Sequence, residues 1–450
     1  MTDQVTNLLL AERAVPRYTS YPTAPHFGPA VNAATARRWL GELPADTSLS
    51  LYLHVPFCAA ICHYCGCHTK AVRRTAPLDL YAATLETEIV LIAGALRARR
   101  TTHLHWGGGT PSLLGPVSMR RVVKRLAECF DLSQLVEHAI ELDPRGVDEP
   151  LVEALADIGI TRVSLGVQDI NRHVQQGIGR VQPADVVERA LCLLRGVGIQ
   201  AINFDLMYGL PSQTTEDVRR TCEFATGLSA SRLTVFGYAH VPWLKPHQRL
   251  IDMAALPGVA ARLEQMAVAR STLETNGYRS IGLDHFARPD DPMTVAAANG
   301  TLRRNFQGYT VDSADALIPM GTSSIGHLPQ GYIQNAPDVA RWRRSVTAGD
   351  IAVVRGVAFS SDDRLRARVI ERLMCDFIVD YGAMGDALVG DEAALDDAKE
   401  ELDALERQSI LTHARRKIRI TEAGRPFVRL AAAAFDAYLH RGAGRHSLAV

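Results

Sequence analysis

Short apolar runs with β-type character recur along the chain at 50–55 (SLYLHV), 102–106 (THLHW), 138–142 (HAIEL), 162–166 (RVSLG), 202–206 (INFDL) and 233–237 (LTVFG). Segments with helical spacing lie between them, at 79–99, 117–129, 183–197 and 214–226. Strands alternating with helices predict βαβ units and a parallel sheet, because parallel neighbours need a long crossover. The periodicity fits an open doubly wound sheet or an incomplete barrel equally well. Residues 1–46 precede this rhythm. They contain a predicted helix near 33–42 and an extended or turning stretch, PRYTSYPTAP, at 16–25. Residues 288–310 are polar and glycine-containing, and read as loops packed over the sheet. From about 361 the chain becomes helix-rich, with a β-like pair around 409–424. That helix–strand–strand–helix order predicts a small winged-helix-like module. There is no internal repeat and no low-complexity tract.

At 450 residues the chain has room for one large domain and one or two smaller ones. Its 47% hydrophobic and 22% charged residues are ordinary for a globular protein. The 49 basic and 49 acidic side chains cancel. That balance argues against long-range steering toward nucleic acid or an acidic membrane, while permitting a local basic pocket for an acidic small molecule. The N-terminus lacks a charged segment followed by an apolar one, so no signal peptide is expected. No segment approaches the ~18 uninterrupted apolar residues of a membrane helix. The expected location is the cytoplasm, where clustered cysteines mean metal or redox chemistry rather than disulfides.

Four of the eight cysteines fall in LYLHVPFCAAICHYCGCHTK, residues 51–70, spaced C-x3-C-x2-C-x-C. The others, Cys129, Cys192, Cys222 and Cys375, stand alone and read as small core residues. A regular strand cannot turn Cys58, Cys62 and Cys65 onto one group, because alternate side chains point apart. A wrapped loop can, and thiolates are the standard ligands of iron–sulfur clusters. A structural zinc site normally draws on two separated cysteine pairs, and a redox C-x-x-C at 62–65 leaves Cys58 unexplained. Gly107, Gly108 and Gly109 follow the second strand, where they permit close backbone approach or simply a tight turn. Glu141, Gln168 and Asp205 recur at or near strand ends, where parallel α/β enzymes assemble their sites. Arg180, in a loop before a helix, reads more readily as a solvated surface arginine than as a carboxylate partner.

Set in order, PRYTSYPTA at 16–24, HVPFC at 54–58, CGC at 65–67, LHWGGGTP at 104–111, ELDPR at 141–145, GVQD at 166–169, YGLP at 208–211, DHFARPDD at 284–291 and RRNFQGYT at 303–310 resemble one family nearly end to end. It is the oxygen-independent coproporphyrinogen III oxidase family of the radical S-adenosylmethionine superfamily. The resemblance implies an α/β fold, an incomplete (β/α)6 TIM-like barrel of parallel strands with a small helix-rich C-terminal domain. In it, residues 1–46 form a leader covering the site, with Tyr18 and Tyr21 folding over it. Residues 47–360 form the barrel with accessory loops, and 361–450 the winged-helix-like domain.

The resemblance further implies that Cys58, Cys62 and Cys65 bind one 4Fe-4S cluster, and that two S-adenosylmethionine molecules lie beside it. Tyr52, Gly108, Glu141 and Ile325 would contact the first. Tyr64, Gly109, Thr110, Gln168, Arg180, Asp205 and Ala239 would contact the second. The three cysteines, Tyr52 and Glu141 form the expected catalytic set, and Cys67 need not bind iron. Tyr64 stands where the family often has Phe, and Gly237 and Lys245 lie in a less well-defined stretch after the sixth strand.

The implied reaction begins with reductive cleavage of S-adenosylmethionine to methionine and a 5′-deoxyadenosyl radical. The radical takes a hydrogen from the β-carbon of a propionate, and loss of CO2 and one electron leaves a vinyl group. Two such rounds convert coproporphyrinogen III to protoporphyrinogen IX in heme biosynthesis. A flavodoxin- or ferredoxin-type electron donor and a monomeric enzyme are expected, with Arg17, Arg288, Arg303 and Arg304 as candidates to hold the substrate carboxylates. The competing readings are a heme methyltransferase relative, a heme-carrying relative and a zinc-stabilised binding module. The heme carriers lack the cysteine two residues after the third ligand and the PRYTSYP leader, both present here. The zinc module leaves GGGTP, GVQD and YGLP unexplained.

Overall fold

The computed structural model describes residues 8–439. The first residues of the expected leader and the last of the expected C-terminal domain, 1–7 and 440–450, lie outside the described residues. All six expected strands form: β1 Leu49–Val55, β2 Thr101–Gly108, β3 Glu137–Leu142, β4 Arg162–Gln168, β5 Ala201–Tyr208 and β6 Arg232–Gly237. They pair side by side in chain order, every pair parallel. Two short strands, β7 Arg279–Ile281 and β8 His285–Ala287, extend the sheet antiparallel beyond β6. A seventh parallel strand, β9 Ala316–Met320, pairs with the free side of β1. It continues antiparallel into β10 Ile325–Leu328, β11 Gly331–Asn335 and β12 Val353–Ala358. The twelve-stranded sheet ends at β12 and β7, which do not pair, so the barrel stays open.

One set of alternating strand residues faces the surrounding helices. Leu51, Leu53, Leu104, Trp106, Ile140, Leu165, Phe204 and Leu233 share one core with helix residues such as Leu85, Val122, Leu155 and Leu191. Beyond the expected helices, Glu149–Asp157 also covers the sheet. Its first turn carries Pro150 and is capped by the Asp148 side chain on Leu151 N–H. The opposite alternation puts Tyr52, His54, His103, His105, Glu141, Ser164, Asn203 and Asp205 in the lumen.

The base of the lumen is closed by charge. Arg162 Nε lies 2.6 Å from Glu137, and Arg232 Nε lies 2.8 Å from Asp291, with longer cross-contacts tying the four together. Asp291 also caps the helix Pro292–Ala298. The stretch 288–310 therefore holds this helix and a hairpin, Arg303–Asn305 with Gly308–Thr310, rather than loops alone.

The C-terminal segment opens with a helix, Ser361–Asp376, started by a Ser360–Asp363 capping box. A three-stranded sheet follows, made of Ile378–Asp380 and the hairpin Leu411–Ala414 with Lys417–Ile420. This is one strand more than the sequence pattern suggests. Its core is shared with the leader: Leu10, Val15, Tyr18 and Tyr21 pack with Leu373, Tyr381, Phe427 and Phe435. Tyr18 Oη donates to Asp436 at 3.0 Å. The leader then crosses the gap in the barrel. Arg17 donates to Gly237 O at the end of β6, and Gly28 bridges to Gly356 on β12.

Cys222 and Cys375 are buried as expected and Cys129 partly so, but Cys192 is exposed on the outer face of its helix. Among the described residues no helix is long and apolar enough to cross a membrane. Replacing Asp291 with Ala strips buried Arg232 of its 2.8 Å partner and leaves it only the longer contact to Glu137 at 3.9 Å. We expect a loss of about 3–5 kcal/mol, read as a fall in the chemical unfolding midpoint.

Candidate active site

The cysteine loop leaves β1 at its C-terminal end. A two-residue parallel pairing of Phe57–Cys58 with Lys70–Ala71 closes its neck. Side chains from the segment after β6 bind its main chain. Gln248, fully buried, donates to Tyr64 O at 2.9 Å, Lys245 donates to Cys67 O at 2.8 Å, and His247 Nε2 lies 2.7 Å from Cys65 O. His63 N–H donates to Ile178 O from another side.

Two of the thiols already accept hydrogen bonds, Cys58 from Thr110 Oγ1 and Cys62 from the Arg180 guanidinium, both at 3.6 Å. A hydrogen bond from Cys67 is the first cause that draws the Cys65 thiol below its ordinary range. Burial raises the Cys58 thiol against the Thr110 bond, while such donors favour thiolate. They also make Cys67 a supporting donor to Cys65 in this arrangement. Among the described residues no three His, Cys, Asp or Glu side chains converge on one point as ligands of a single ion do. Cys58, Cys62 and Cys65, free thiols on one wrapped loop, are the donor type that an iron–sulfur cluster takes.

The glycine triplet is first of all a packing requirement. A Cβ on Gly107 would meet Glu141 Oε1 at 2.9 Å and Tyr52 Oη at 3.0 Å. Gly108 has φ +112°, and its Cβ would run into the His54 ring at 2.6 Å. A Cβ on Gly109 would strike Phe57 O at 2.5 Å. The space a side chain would fill is thus taken by Tyr52, His54 and the neck of the cysteine loop.

Around this ledge Gly108 N–H donates to Glu141 Oε2 at 3.1 Å, and His105 Nε2 lies 3.4 Å from Glu141 Oε1. The Tyr52 ring stacks on His105, and its hydroxyl lies 3.0 Å from His54 Nδ1. Burial would push the Glu141 carboxyl up, but His105 and the Gly108 amide hold it below the usual carboxylate range. Tyr52, Gly108 and Glu141 thus form one group, while Ile325 stands two strands away at the start of β10.

The second group gathers across β4 to β6. Arg180 is buried, and the sequence reading of it as a surface arginine is corrected here. It pairs with Asp143 at 3.1 Å and donates to Gly166 O at 2.8 Å, as well as to Cys62. Gln168 ends β4 at φ +67°, with its amide beside Gly166. Asp205 accepts from Ser164 at 2.7 Å and from Asn203 at 3.0 Å. Burial first, and then Glu141, push its carboxyl up to about 6 against those bonds. Ala239 O shares the Gln248 amide with Tyr64 O, which ties this side to the cysteine loop.

The Radical SAM superfamily model matches residues 52–225, which span the cysteine loop, the glycine ledge and Arg180. The oxygen-independent coproporphyrinogen III oxidases of Bradyrhizobium diazoefficiens and Paracoccus denitrificans are 44% and 40% identical to the chain, over 98% and 99% of each partner. The solved structure of coproporphyrinogen III oxidase (HemN) from Escherichia coli matches with a TM-score of 0.89 at 35% identity, covering 95% of this chain and 100% of that one. The chain belongs to the oxygen-independent coproporphyrinogen III oxidase family.

Several residues that shape the mouth of this coproporphyrinogen oxidase fold escape a reading of the sequence. His54 and His105 are visible only as the lumen-facing positions of the strands LYLHV and THLHW. Asp143 lies inside ELDPR but is not distinguished from its neighbours. Gln248 carries no sequence signal, because its partners are main-chain atoms 184, 9 and 7 residues away.

Replacing Gln248 with Leu strips the donor from Tyr64 O. The iron bound per chain after anaerobic reconstitution should fall while far-ultraviolet circular dichroism is kept. Asp205 supplies a pH test. Its folded carboxyl titrates near 6 against 3.8 for the free group, so ionised Asp205 opposes folding at higher pH. Asp205→Asn should therefore raise the thermal midpoint of the cofactor-free protein at about pH 8, with a gap that narrows as pH falls from about 6 toward 4.

Proposed function

We propose that this protein catalyses the oxygen-independent oxidative decarboxylation of two propionate side chains of coproporphyrinogen III to vinyl groups, giving protoporphyrinogen IX. The observation that carries the reading is a three-thiol loop at the mouth of a barrel whose whole length aligns with coproporphyrinogen III oxidases. Cys58, Cys62 and Cys65 hold a 4Fe-4S cluster in this reading. When bound, the cluster supplies the electron that cleaves S-adenosylmethionine and so provides the hydrogen-abstracting 5′-deoxyadenosyl radical.

The remaining work falls to the chain's own side chains. Ionised Glu141 offers acceptor oxygens beside the Gly108 amide, and the Tyr52 ring stiffens that wall through His105. These residues with Ile325 serve one S-adenosylmethionine. Gln168, Arg180, Asp205 and Ala239, with Tyr64, Gly109 and Thr110, serve a second. Tyr52, Gly108 and Glu141 on β1–β3 and Gln168, Arg180 and Asp205 toward β4–β6, with Gly109 and Thr110 between them at the end of β2, support two binding positions in one mouth. The leader spans the open side of the barrel, where it can exclude water from a reactive radical.

A flavodoxin- or ferredoxin-type donor would reduce the cluster, and a reducing cytoplasm suits its thiolates. We take the working unit to be the monomer. The PRYTSYP leader and Cys67 favour the oxidase over a heme-carrying or heme-methylating relative.

The test is anaerobic turnover of the reconstituted protein with reductant, S-adenosylmethionine, coproporphyrinogen III and a cell extract as electron acceptor. Tetrapyrroles and 5′-deoxyadenosine are analysed together. Wild type should give protoporphyrinogen IX, and a folded Cys62→Ser variant should give none. Formation of 5′-deoxyadenosine with an unchanged tetrapyrrole would refute the substrate and keep the radical chemistry.

A further inference from the structure

A cavity of about 540 Å3 lies outside the lumen, where the ends of β5 and β6 meet the helix Val259–Thr275, the leader and the C-terminal segment. Its volume is in the usual range of small-molecule sites, roughly 300–1,000 Å3. Apolar groups such as Val235, Met266, Leu283 and Phe286 face it, together with the ring of Tyr208. Its charged lining is unbalanced. Arg270 and Arg425 are paired, with Glu274 at 2.9 Å and Glu422 at 2.7 Å. Arg17, Arg262 and Arg304 remain, and the carboxylate facing them is Asp284, itself 2.8 Å from His285.

Among the described residues Arg17, Arg262 and Arg304 make no salt bridge. Arg17 and Arg304 donate to main-chain carbonyls. The Arg262 guanidinium sits over the Tyr208 ring at 5.7 Å, and its Nε is buried without a hydrogen-bond partner, as is Nη1 of Arg304. Burial, and then repulsion from Arg17, lower the proton affinity of both Arg262 and Arg429. Buried donors without acceptors and crowded like charges cost stability unless an anion joins them. An apolar lining beneath several guanidinium groups suits a hydrocarbon frame that bears more than one carboxylate.

We infer that this cavity binds carboxylate groups of the tetrapyrrole substrate, those not presented to the reacting position, with Arg262 as the principal anchor beside Arg17 and Arg304. The inference rests on the proposed oxidase function and names where that substrate is held. The Gly237–Ala239 turn forms part of the cavity wall and also, through Ala239 O, shares the Gln248 amide with the cysteine loop. One turn is thus shared between the cavity wall and the mouth. Of the four arginines expected from the sequence, Arg17 and Arg304 line it. Arg303 instead pairs with Glu371 at 3.1 Å, and Arg288 lies nearest Asp290 at 3.8 Å.

The test measures the Kd of coproporphyrin III, the stable oxidised analogue, and the KM of coproporphyrinogen III on the reconstituted enzyme. Arg262→Gln should raise both about tenfold or more, as loss of a charge-assisted hydrogen bond does. Arg262→Lys should recover part of the loss, and Arg189→Gln on the far surface should change neither. Unaltered Kd and KM in a folded Arg262→Gln variant overturn the inference. A measurement on wild type needs no variant: mesoporphyrin, with two carboxylates, should bind about tenfold more weakly than coproporphyrin III, with four. Equal affinities also overturn it. If coproporphyrin binding depends on Arg262 but no protoporphyrinogen IX forms, the oxidase reading fails and the cavity stands. If product forms and Arg262→Gln matches wild type, the reverse holds.

Discussion

The cysteine loop has almost no regular structure of its own, and everything at the mouth of the barrel depends on what holds its main chain. Ordering each residue of such a loop costs about 1–2 kcal/mol, and each net hydrogen bond returns about 0.5–1.5 kcal/mol. Gln248, His247 and Lys245 supply three of those bonds, from positions 178 to 184 residues further along the chain. The positions of the thiols therefore depend on the segment that follows β6. These three bonds act on carbonyl oxygens and not on sulfur, so they fix the main chain without occupying the thiols.

The second constraint is the two-residue period of the strands. It divides the sheet into a face that packs against helices and a face that carries chemistry. Leu104 and Trp106 lie in the shared core while His103 and His105 turn inward, so one eight-residue strand both builds the fold and furnishes the site. The lumen is graded along its axis. Its base is an ion network of Glu137, Arg162, Arg232 and Asp291, where charges neutralise one another. Its mouth holds Glu141 and Asp205 without an arginine partner, and their titration moves in opposite directions. Glu141 has His105 and a backbone amide, whereas Asp205 has burial and a neighbouring negative charge.

Local pattern explains why the six parallel strands were legible in advance: each is a continuous β-type run long enough to stand out. The seventh, β9, was not, because Pro319 within ALIPM argues against a strand. The structure tolerates it opposite Tyr52, where only five residues pair. The helix Pro292–Ala298 and the hairpin at 303–310 are too short for periodicity to reveal. The cysteine spacing announced a metal site without tertiary information. Arg180 did not announce itself, since a loop arginine looks the same in sequence whether it faces solvent or Cys62. Arg262 was hidden for a similar reason: on an exposed helix an arginine is the expected residue, and only the leader and the C-terminal segment packed beside it leave the cation half-buried with its Nε shielded from solvent.

That last point ties the cover of the barrel to its charge. A barrel of seven parallel strands that fails to close must have its open side sealed, and here the seal is the leader with the C-terminal core. Arg17 and Arg429 arrive with that seal, while Arg262 and Arg304 come from the barrel's own helix and hairpin. Cations brought together from separate elements repel one another, so docking the cover is opposed by the charge it completes. Tyr18, bonded to Asp436, and the apolar contacts of Leu10, Val15 and Tyr21 provide the offsetting attraction. An anion in the cavity would add to that attraction, so a polycarboxylate ligand and the closed cover stabilise each other by simple linkage. The cover is then most firmly seated when substrate is present, which is also when a radical in the lumen most needs protection from water.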